Sequence, residues 1–411
     1  MEKINLKSRF DSAVDEKYKK IIYDCARVAD ENGYKIYLIG GFVRDLILGN
    51  PVKDVDIVVK GSASEFTGLI RHFLKGVVVK AQKDLETVKI AFPCGTVIDF
   101  ASTRDEFYPT PGALPVIKQI GCELKKDVLR RDFTINSLAL SLIGTEMFDP
   151  VDYVGGFSDL QNGLVRILHP RSFVDDPSRI VRAFKFCARL GFDLEKETLR
   201  LREEFLDSEN RNFPFERIKS ELKSIFEYDR PDFYDKFVDE NLFRIFPSSQ
   251  PRKYFCKGIR IKSVLDKYNV PKPERWLFYT ACAFGGTIPD EKLNFSAVQM
   301  QIFRDFAALS AKTPDFSDRF SVYSFFRPFD KRAAVLYDIF FDSKEAELYV
   351  SDLANVKLCV SGADLKEILP PGKVYSEILT RTLKEKINKG FVTPSDEKAF
   401  AATLAKTLRN A

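Results

Sequence analysis

The sequence predicts a mixed α/β head followed by a long all-helical remainder, and three observations carry that expectation. Short β-branched runs alternate with helical stretches up to about residue 100. From about residue 230 onward apolar residues keep helical spacing, with no internal repeat, no low-complexity tract and no further glycine-rich phosphate loop. At 411 residues the chain also exceeds one small core, so two to four domains or subdomains are expected.

In the head, Ile21, Ile22, Cys25, Val28 and Ala29 recur at helical spacing and predict a helix over about residues 17–32. The apolar run Tyr37 to Ile39 reads as a strand. Gly40 and Gly41 then let the backbone turn with φ > 0 and come close to a ligand, and N–H groups at such a turn cradle a phosphate. Phe42-Val43-Arg44-Asp45 continues as a short helix, and Asp54-Val55-Asp56 leads into a second strand through Ile57-Val58-Val59. Residues at i and i+2 of a strand share a face, so the two carboxylates point the same way. Like charges that close call for a cation between them, and paired hard oxygens suit Mg²⁺; the alternative is a turn with solvated acids. This stretch is the candidate active site. A helix over Ser64 to Phe73 and strands at Val77-Val78-Val79, Val88 to Phe92 and Val97 to Phe100 follow. Asp99, inside the last of these apolar runs, would be expensive to bury alone and is a third candidate ligand, with a solvent-facing strand end as the alternative.

Tyr108 to Pro115 holds three prolines and a glycine in eight residues and is expected to be a mobile loop. Beyond Arg130-Arg131-Asp132-Phe133-Thr134-Ile135-Asn136, the spacing of Ile135, Leu138 and Leu142 predicts a helix capped by Asp132 or Thr134. The two arginines offer forked donors for a triphosphate and Asn136 an amide for a ribose hydroxyl, against the plainer reading of a basic surface turn. Gly155-Gly156 forms a second glycine-rich passage. Asp176 as N-cap, Pro177 at N1, cationic Lys185 and Arg189 and a terminal Gly191 predict a helix over 177–190. Asp176 and Arg179, three apart, are neighbours at its start, which on spacing alone is an ordinary cap with a local ion pair. Glu216 to Leu222 begins another amphipathic helix, and Pro247, Pro251, Pro271 and Pro273 mark joints. Arg252, Lys253, Lys257, Arg260 and Lys262, interleaved with Tyr254 and Phe255, form one basic group, and Arg381, Lys384, Lys386 and Lys389 another; either would suit phosphates or a solvated face.

Composition narrows the chemistry. Hydrophobic residues at 45% and charged residues at 30% describe a globular chain, and the formal charge of +5 permits a nucleic-acid partner without demanding one. Seven cysteines without a CxxC pair indicate neither a zinc site nor a disulfide framework, which fits a reducing cytoplasm. With only His72 and His169, most histidine-based metal and triad chemistry is set aside. No apolar run reaches the roughly 18 residues of a membrane span, so no membrane partner is expected.

Taken in order, GGFVRD with DVD, RRDFTIN, DPVDYVGGFSDLQNGLVRIL, DDPSRIVRAFKFCARLGF and ERIKSEL resemble the five successive motifs of the class II tRNA nucleotidyltransferases, the family of CCA-adding enzymes and bacterial poly(A) polymerases. The likeness covers residues about 37–225, and Ser361 through Gly390 resembles the family's tail. Asp175 stands where the family's EDxxR motif has Glu, and Asp152-Tyr153-Val154 lengthens the link to Gly155. The resemblance implies a nucleotidyltransferase head with a polymerase-beta-like mixed sheet over 1–150, a helical neck with base recognition over 151–229, and a helical body and tail that hold tRNA over 230–411. It implies Mg²⁺ on Asp54 and Asp56, with Asp99 as a further catalytic acid. Gly40, Gly41, Arg44, Asp45, Arg131, Asp132, Asn136 and Arg182 would bind nucleotide, and Asp176 with Arg179 would read its base. Cytosine and adenine both offer an exocyclic amine beside a ring-nitrogen acceptor, which a carboxylate and a guanidinium match in the same order. The implied reaction is template-independent addition of CCA to the tRNA 3′ end from CTP and ATP. The proline-rich 108–115 loop matches one that enzymes adding only CC tend to lack. Addition of A alone or of CC remains the alternative; a poly(A) polymerase would be expected to carry an Arg-Phe-Arg type segment where Arg71-His72-Phe73-Leu74-Lys75 stands, and an inactive RNA-binding module would be expected to lose acids that are present here.

Overall fold

The computed structural model describes residues 5–52, 54–144, 147–208, 214–245, 253–370, 372–391 and 393–409. Two compact units divide the chain, Met1–Glu221 and Leu222–Ala411. The first takes in the head and nearly all of the 151–229 segment expected as a neck.

The first unit is built on a seven-stranded sheet in the order β3-β4-β5-β2-β1-β8-β9. Its strands are β1 (Lys35–Ile39), β2 (Val55–Lys60), β3 (Val77–Gln82), β4 (Thr87–Ala91), β5 (Val97–Ser102), β8 (Ala139–Ser141) and β9 (Pro150–Val151). A separate hairpin pairs β6 (Arg104–Phe107) with β7 (Val116–Ile120). All neighbours in the large sheet are antiparallel except β2 and β5. A parallel pair needs a crossover, and the helix Ala63–Leu74 with the β3-β4 hairpin supplies it. Helices Glu16–Glu31 and Ala63–Leu74 cover one face, burying Ile22, Cys25, Val28, Phe66 and Ile70. On the other face the short helix Leu124–Leu129 presses Leu124 and Val128 against Ile39, Val58 and Ala139. Because strand side chains alternate, Asp54 and Asp56 lie on that second face with Val58.

The helix expected after Arg131 does not form. Residues Thr134–Asn136 make a single 3₁₀ turn, and the chain then enters β8, which pairs with β1. Every residue from Phe133 to Leu142 is buried, polar Thr134, Asn136, Ser137 and Ser141 included, so no solvent-facing side distinguishes a helical stripe from a central strand, and backbone pairing decides. The expected helix over 177–190 is found as Ser178–Leu190, ended by Gly191 with φ of 70°. The chain around it joins the first unit through a parallel ladder of β10 (Leu164–Val165) with β11 (Asp193–Leu194) and a bridge from Phe133 to Ile167.

Among its described residues the second unit has helices and no strand, and none is long and apolar enough to cross a membrane. Phe226, Tyr234, Phe237 and Tyr279 pack ring on ring, Phe226 and Tyr279 stacked at 5.7 Å. Val360, Leu365, Ile378, Ala401 and Ala405 form a separate core near the C-terminus. The basic groups seen in the sequence are largely neutralised. Arg260 pairs with Asp338 and Asp342, and Lys262 with Asp229 and Asp266. Tyr254 packs among Phe306, Phe340 and Phe341, whereas Arg252, Pro247 and Pro251 lie outside the described residues. Arg381, Lys384, Lys386 and Lys389 each face a carboxylate, from Glu377, Asp318, Glu397 and Glu385.

Gly156 marks the closest approach in the first unit. A Cβ there would lie 2.4 Å from the Thr134 carbonyl oxygen and 3.1 Å from Leu138 Cδ2. The helix Gly156–Asn162 therefore sits on the 3₁₀ turn with no room for a methyl group. Replacing Gly156 with Ala should cost about 1–3 kcal/mol of stability through overpacking. Urea denaturation of the two proteins checks this; equal midpoints would contradict the packing argument.

Candidate active site

Sheet topology gathers the candidate residues at one end. Strand β1 runs antiparallel to β2, so the end of β1 lies beside the start of β2, and parallel β5 begins at the same end. Gly40, at φ 73° and ψ −134°, turns the chain out of β1 into the helix Gly41–Leu48 and donates its N–H to Leu138 O at 3.2 Å. The first amides of that helix are left without helical acceptors, the arrangement that receives a phosphate. A Cβ on Gly40 would lie 3.8 Å from Arg131 Nη1, which places that guanidinium over the turn.

Asp56 and Asp99 are register partners across β2 and β5, and Asp54 precedes Asp56 by two on the same face. Burial, then the charges of Asp99 and Asp54, push the Asp56 carboxyl up to about 6, only partly offset by Arg131 and Lys89. Lys89 Nζ holds Asp99 Oδ2 at 2.8 Å. Among the described residues no three His, Cys, Asp or Glu side chains form a ready metal cage. The site is instead a face of crowded carboxylates with too little positive charge, and its hard oxygen donors fit a divalent cation.

Asp127, fully buried, organises the arginines. Its Oδ1 accepts from Arg130 Nε at 3.0 Å and Nη2 at 2.7 Å, and its Oδ2 from Arg131 Nε at 3.2 Å and Nη2 at 2.9 Å. Burial alone would raise its pKa, yet Arg131 and Arg130 hold it below the usual carboxylate range. Arg131 Nη1 is thereby turned toward the glycine turn, with no hydrogen-bond partner among the described residues.

A second network runs through the middle of the unit. Arg44, 2% exposed, forks onto Asp45 at 3.0 and 2.8 Å and donates to Asn136 Oδ1 at 2.6 Å. Asn136 donates in turn to Asp132 Oδ1 at 3.2 Å. Arg182 grips Asp132 Oδ2 and reaches Glu221 at 3.0 Å, while Arg189 closes on Asp45 at 2.8 Å. Phe186 lies among these cations, its ring centre 5.1 Å from the Arg44 guanidinium carbon and 5.8 Å from that of Arg182. Arg44, expected at the triphosphate, has these donors committed to Asp45 and Asn136.

Asp176 and Arg179 are not an ion pair with each other. Asp176 caps the helix by accepting Ser178 N at 3.1 Å and Ser178 Oγ at 2.6 Å on Oδ1, and its Oδ2 takes Arg217 Nη1 at 2.8 Å. Arg179, buried, donates to Ser172 Oγ at 2.7 Å, Arg130 O at 3.0 Å and Tyr108 Oη at 3.2 Å. At the helix start each side chain reaches sideways to other elements rather than along the helix to the other.

Several organising roles are not among those expected from the sequence. Asp127 stands three and four positions before Arg130 and Arg131, a helical spacing that would have found it. Asp152, in the lengthened link, accepts the amides of Val154, Gly155, Gly156 and Phe157 and so caps the following helix. Asp159 joins Thr134 Oγ1 at 2.6 Å to a forked Arg166. Arg189 and Arg217 act on residues 144 and 41 positions away, beyond any local pattern.

Comparison with known proteins follows the same lines. Residues 36–166 match the family described as the poly A polymerase head domain. The A-adding tRNA nucleotidyltransferase of Geobacter sulfurreducens is 32% identical over 94% of this chain and 47% of its own length. That of Aquifex aeolicus is 42% identical over 41% of this chain and 20% of its own. The chain thus spans less than half the length of these relatives. A ligand-free CCA-adding enzyme structure superposes with a TM-score of 0.79 at 25% identity, covering 99% of both chains. The ordered motifs, the sheet that collects them and a likeness running the length of the chain lead to one conclusion: residues 36–166 match the poly A polymerase head domain, and the chain as a whole is similar to tRNA nucleotidyltransferases of the A-adding and CCA-adding kinds.

Proposed function

We propose that the protein is a cytoplasmic enzyme that adds CCA, or part of it, to the 3′ end of tRNA from CTP and ATP without a nucleic-acid template. The observation that carries the reading is the convergence of Asp54, Asp56 and Asp99 with Arg131 beside the Gly40 turn. Its likeness over full length to a CCA-adding enzyme supports complete CCA addition. Addition of A alone is the second reading, favoured by the A-adding relatives.

In the reaction the RNA 3′-hydroxyl forms a bond to the α-phosphorus as the bond to pyrophosphate breaks. Amides at the start of the Gly41–Leu48 helix and the open Arg131 Nη1 receive triphosphate oxygens. Asp54 and Asp56 would hold Mg²⁺, with Asp99 beside them, and the bound ions would lower the pKa of the attacking hydroxyl and neutralise the leaving group. Asp132 and Asn136 face the ribose, and Arg44, Arg182, Asp45 and Arg189 keep that pair in place. Asp176 and Arg179 select cytosine and adenine over guanine and uracil by their donor and acceptor order. Selection of this kind loses about 1–3 kcal/mol for each mismatched group.

Replacing Asp56 with Asn should abolish nucleotide addition yet stabilise the metal-free protein. The folded carboxyl titrates near 6 against an ordinary 3.8, so the wild type loses stability as pH rises from about 4 through 6, and the variant avoids that loss. At pH 7 in a chelator the variant should be ahead by on the order of 1–3 kcal/mol, narrowing at pH 4. Urea melts at both pH values, with and without Mg²⁺, test the acid cluster; a variant that keeps turnover rules it out.

The reading itself is tested with tRNAs ending before CCA, after C and after CC, each given CTP or ATP, with products sized at nucleotide resolution. C on the first two and A on the third are expected. Failure to add C with A addition intact establishes the A-adding reading, and no addition to any tRNA overturns both.

A further inference from the structure

Beyond the residues already given roles, Arg217 stands at a junction that helix packing alone does not require. It lies on the helix Phe215–Phe226, and its guanidinium joins two other parts of the same unit. Nη1 holds Asp176 Oδ2 at 2.8 Å, while Nη2 donates to the carbonyl oxygens of Gly112 at 2.6 Å and Ala113 at 2.9 Å. The connection between β6 and β7 is tied to the same place twice more. Gly112 N–H donates to Asp175 O at 3.1 Å, and Tyr108 Oη takes Arg179 Nη2 at 3.2 Å, with its ring 5.7 Å from that guanidinium.

We propose that Arg217 is a positioning residue for base selection: it aims Oδ2 of the Asp176 carboxylate and locks that aim to the 112–113 backbone. This rests on the reading of Asp176 as a base-selecting group. The argument is one of valence. Oδ1 of Asp176 is committed to the helix cap by two Ser178 donors, so only Oδ2 is left to accept an amine from a base. A carboxylate held on one oxygen alone still swings about its Cβ–Cγ bond, whose torsion is broad. Arg217 removes that freedom, and because its second nitrogen is held by two carbonyls, its own position is fixed by the 112–113 backbone. A lysine would keep the charge but has no planar fork to hold both partners at the observed angles. An oxygen with two lone pairs accepts a base amine beside Arg217 without releasing it.

The test uses the full chain with Arg217→Gln and Arg217→Lys. Both are measured for incorporation of all four nucleotides, for thermal midpoint and for hydrogen exchange of the 108–115 segment. Arg217→Gln should raise incorporation of GTP and UTP relative to ATP and CTP by about tenfold. Most of the change should fall on KM for the correct nucleotide, and exchange at 108–115 should speed up while that of β5 is unchanged. Arg217→Lys should restore the midpoint but only part of the discrimination. Faster exchange with unaltered nucleotide choice overturns the proposal and leaves Arg217 a loop anchor. Equal discrimination in wild type and both variants likewise overturns it. If the wild type adds no nucleotide to tRNA, the functional reading fails; exchange at 108–115 then reports on the clamp separately, and unchanged exchange removes the clamp too.

Discussion

A single parallel contact in an otherwise antiparallel sheet sets the geometry on which the rest of the first unit depends. Pairing β2 with β5 in parallel brings Asp56 and Asp99 side by side. The chain accepts the crossover through Ala63–Leu74 and the β3-β4 hairpin to make that pairing. An antiparallel partner in that place would begin at the other end of the sheet and leave Asp56 and Asp54 without a third acid. The cost of the arrangement is visible in the Asp56 carboxyl, which burial and its acidic neighbours hold near 6. Crowding of this electrostatic kind shifts a carboxyl toward its neutral form unless positive charge is brought beside it.

Around that crowded face the unit spends its buried charge on orientation. Asp127 fixes Arg130 and Arg131 from below, and the chain from Arg189 through Asp45, Arg44, Asn136, Asp132 and Arg182 to Glu221 crosses from the glycine turn to the helix Phe215–Phe226. Buried ion pairs of this sort add little net stability, because desolvation offsets attraction. Their effect is to remove rotamer freedom, so that few groups such as Arg131 Nη1 are left unsatisfied and available. The four backbone amides gathered by Asp152 and the close seat of Gly156 on Thr134 do the same for the backbone.

Much of this was legible in the chain because it is local. The glycine turn, the alternation of Asp54 and Asp56 on one strand face, and the helix between Pro177 and Gly191 follow from steric and capping rules that act over a few residues. The segment after Arg131 was misread as a helix because its polar Thr134, Asn136, Ser137 and Ser141 are buried along with its apolar residues, so the spacing of Ile135, Leu138 and Leu142 did not mark a boundary between core and solvent. Asp176 and Arg179 were correctly placed at one helix start, but their partners were not: spacing suggested each other, whereas Arg217 and Tyr108 hold them. The basic groups of the second unit looked open to phosphates, and most of those cations already face carboxylates, some from the same helix, as Arg381 with Glu377, and some from other elements, as Arg260 with Asp338 and Lys386 with Glu397.

By itself the sequence determined the first strands and helices of the head, the helical character of the second unit and the residue types gathered at the candidate site, since residue type, turn chemistry and periodicity are properties of neighbours along the chain. Only the tertiary structure decided which carboxylate is crowded, which arginines are committed and which donors stay open. Those outcomes depend on burial and on partners 40 to more than 140 residues away, as Asp176 with Arg217 and Asp45 with Arg189 show. Charge interactions in a low-dielectric interior are settled by distance in space, which spacing along the chain does not record.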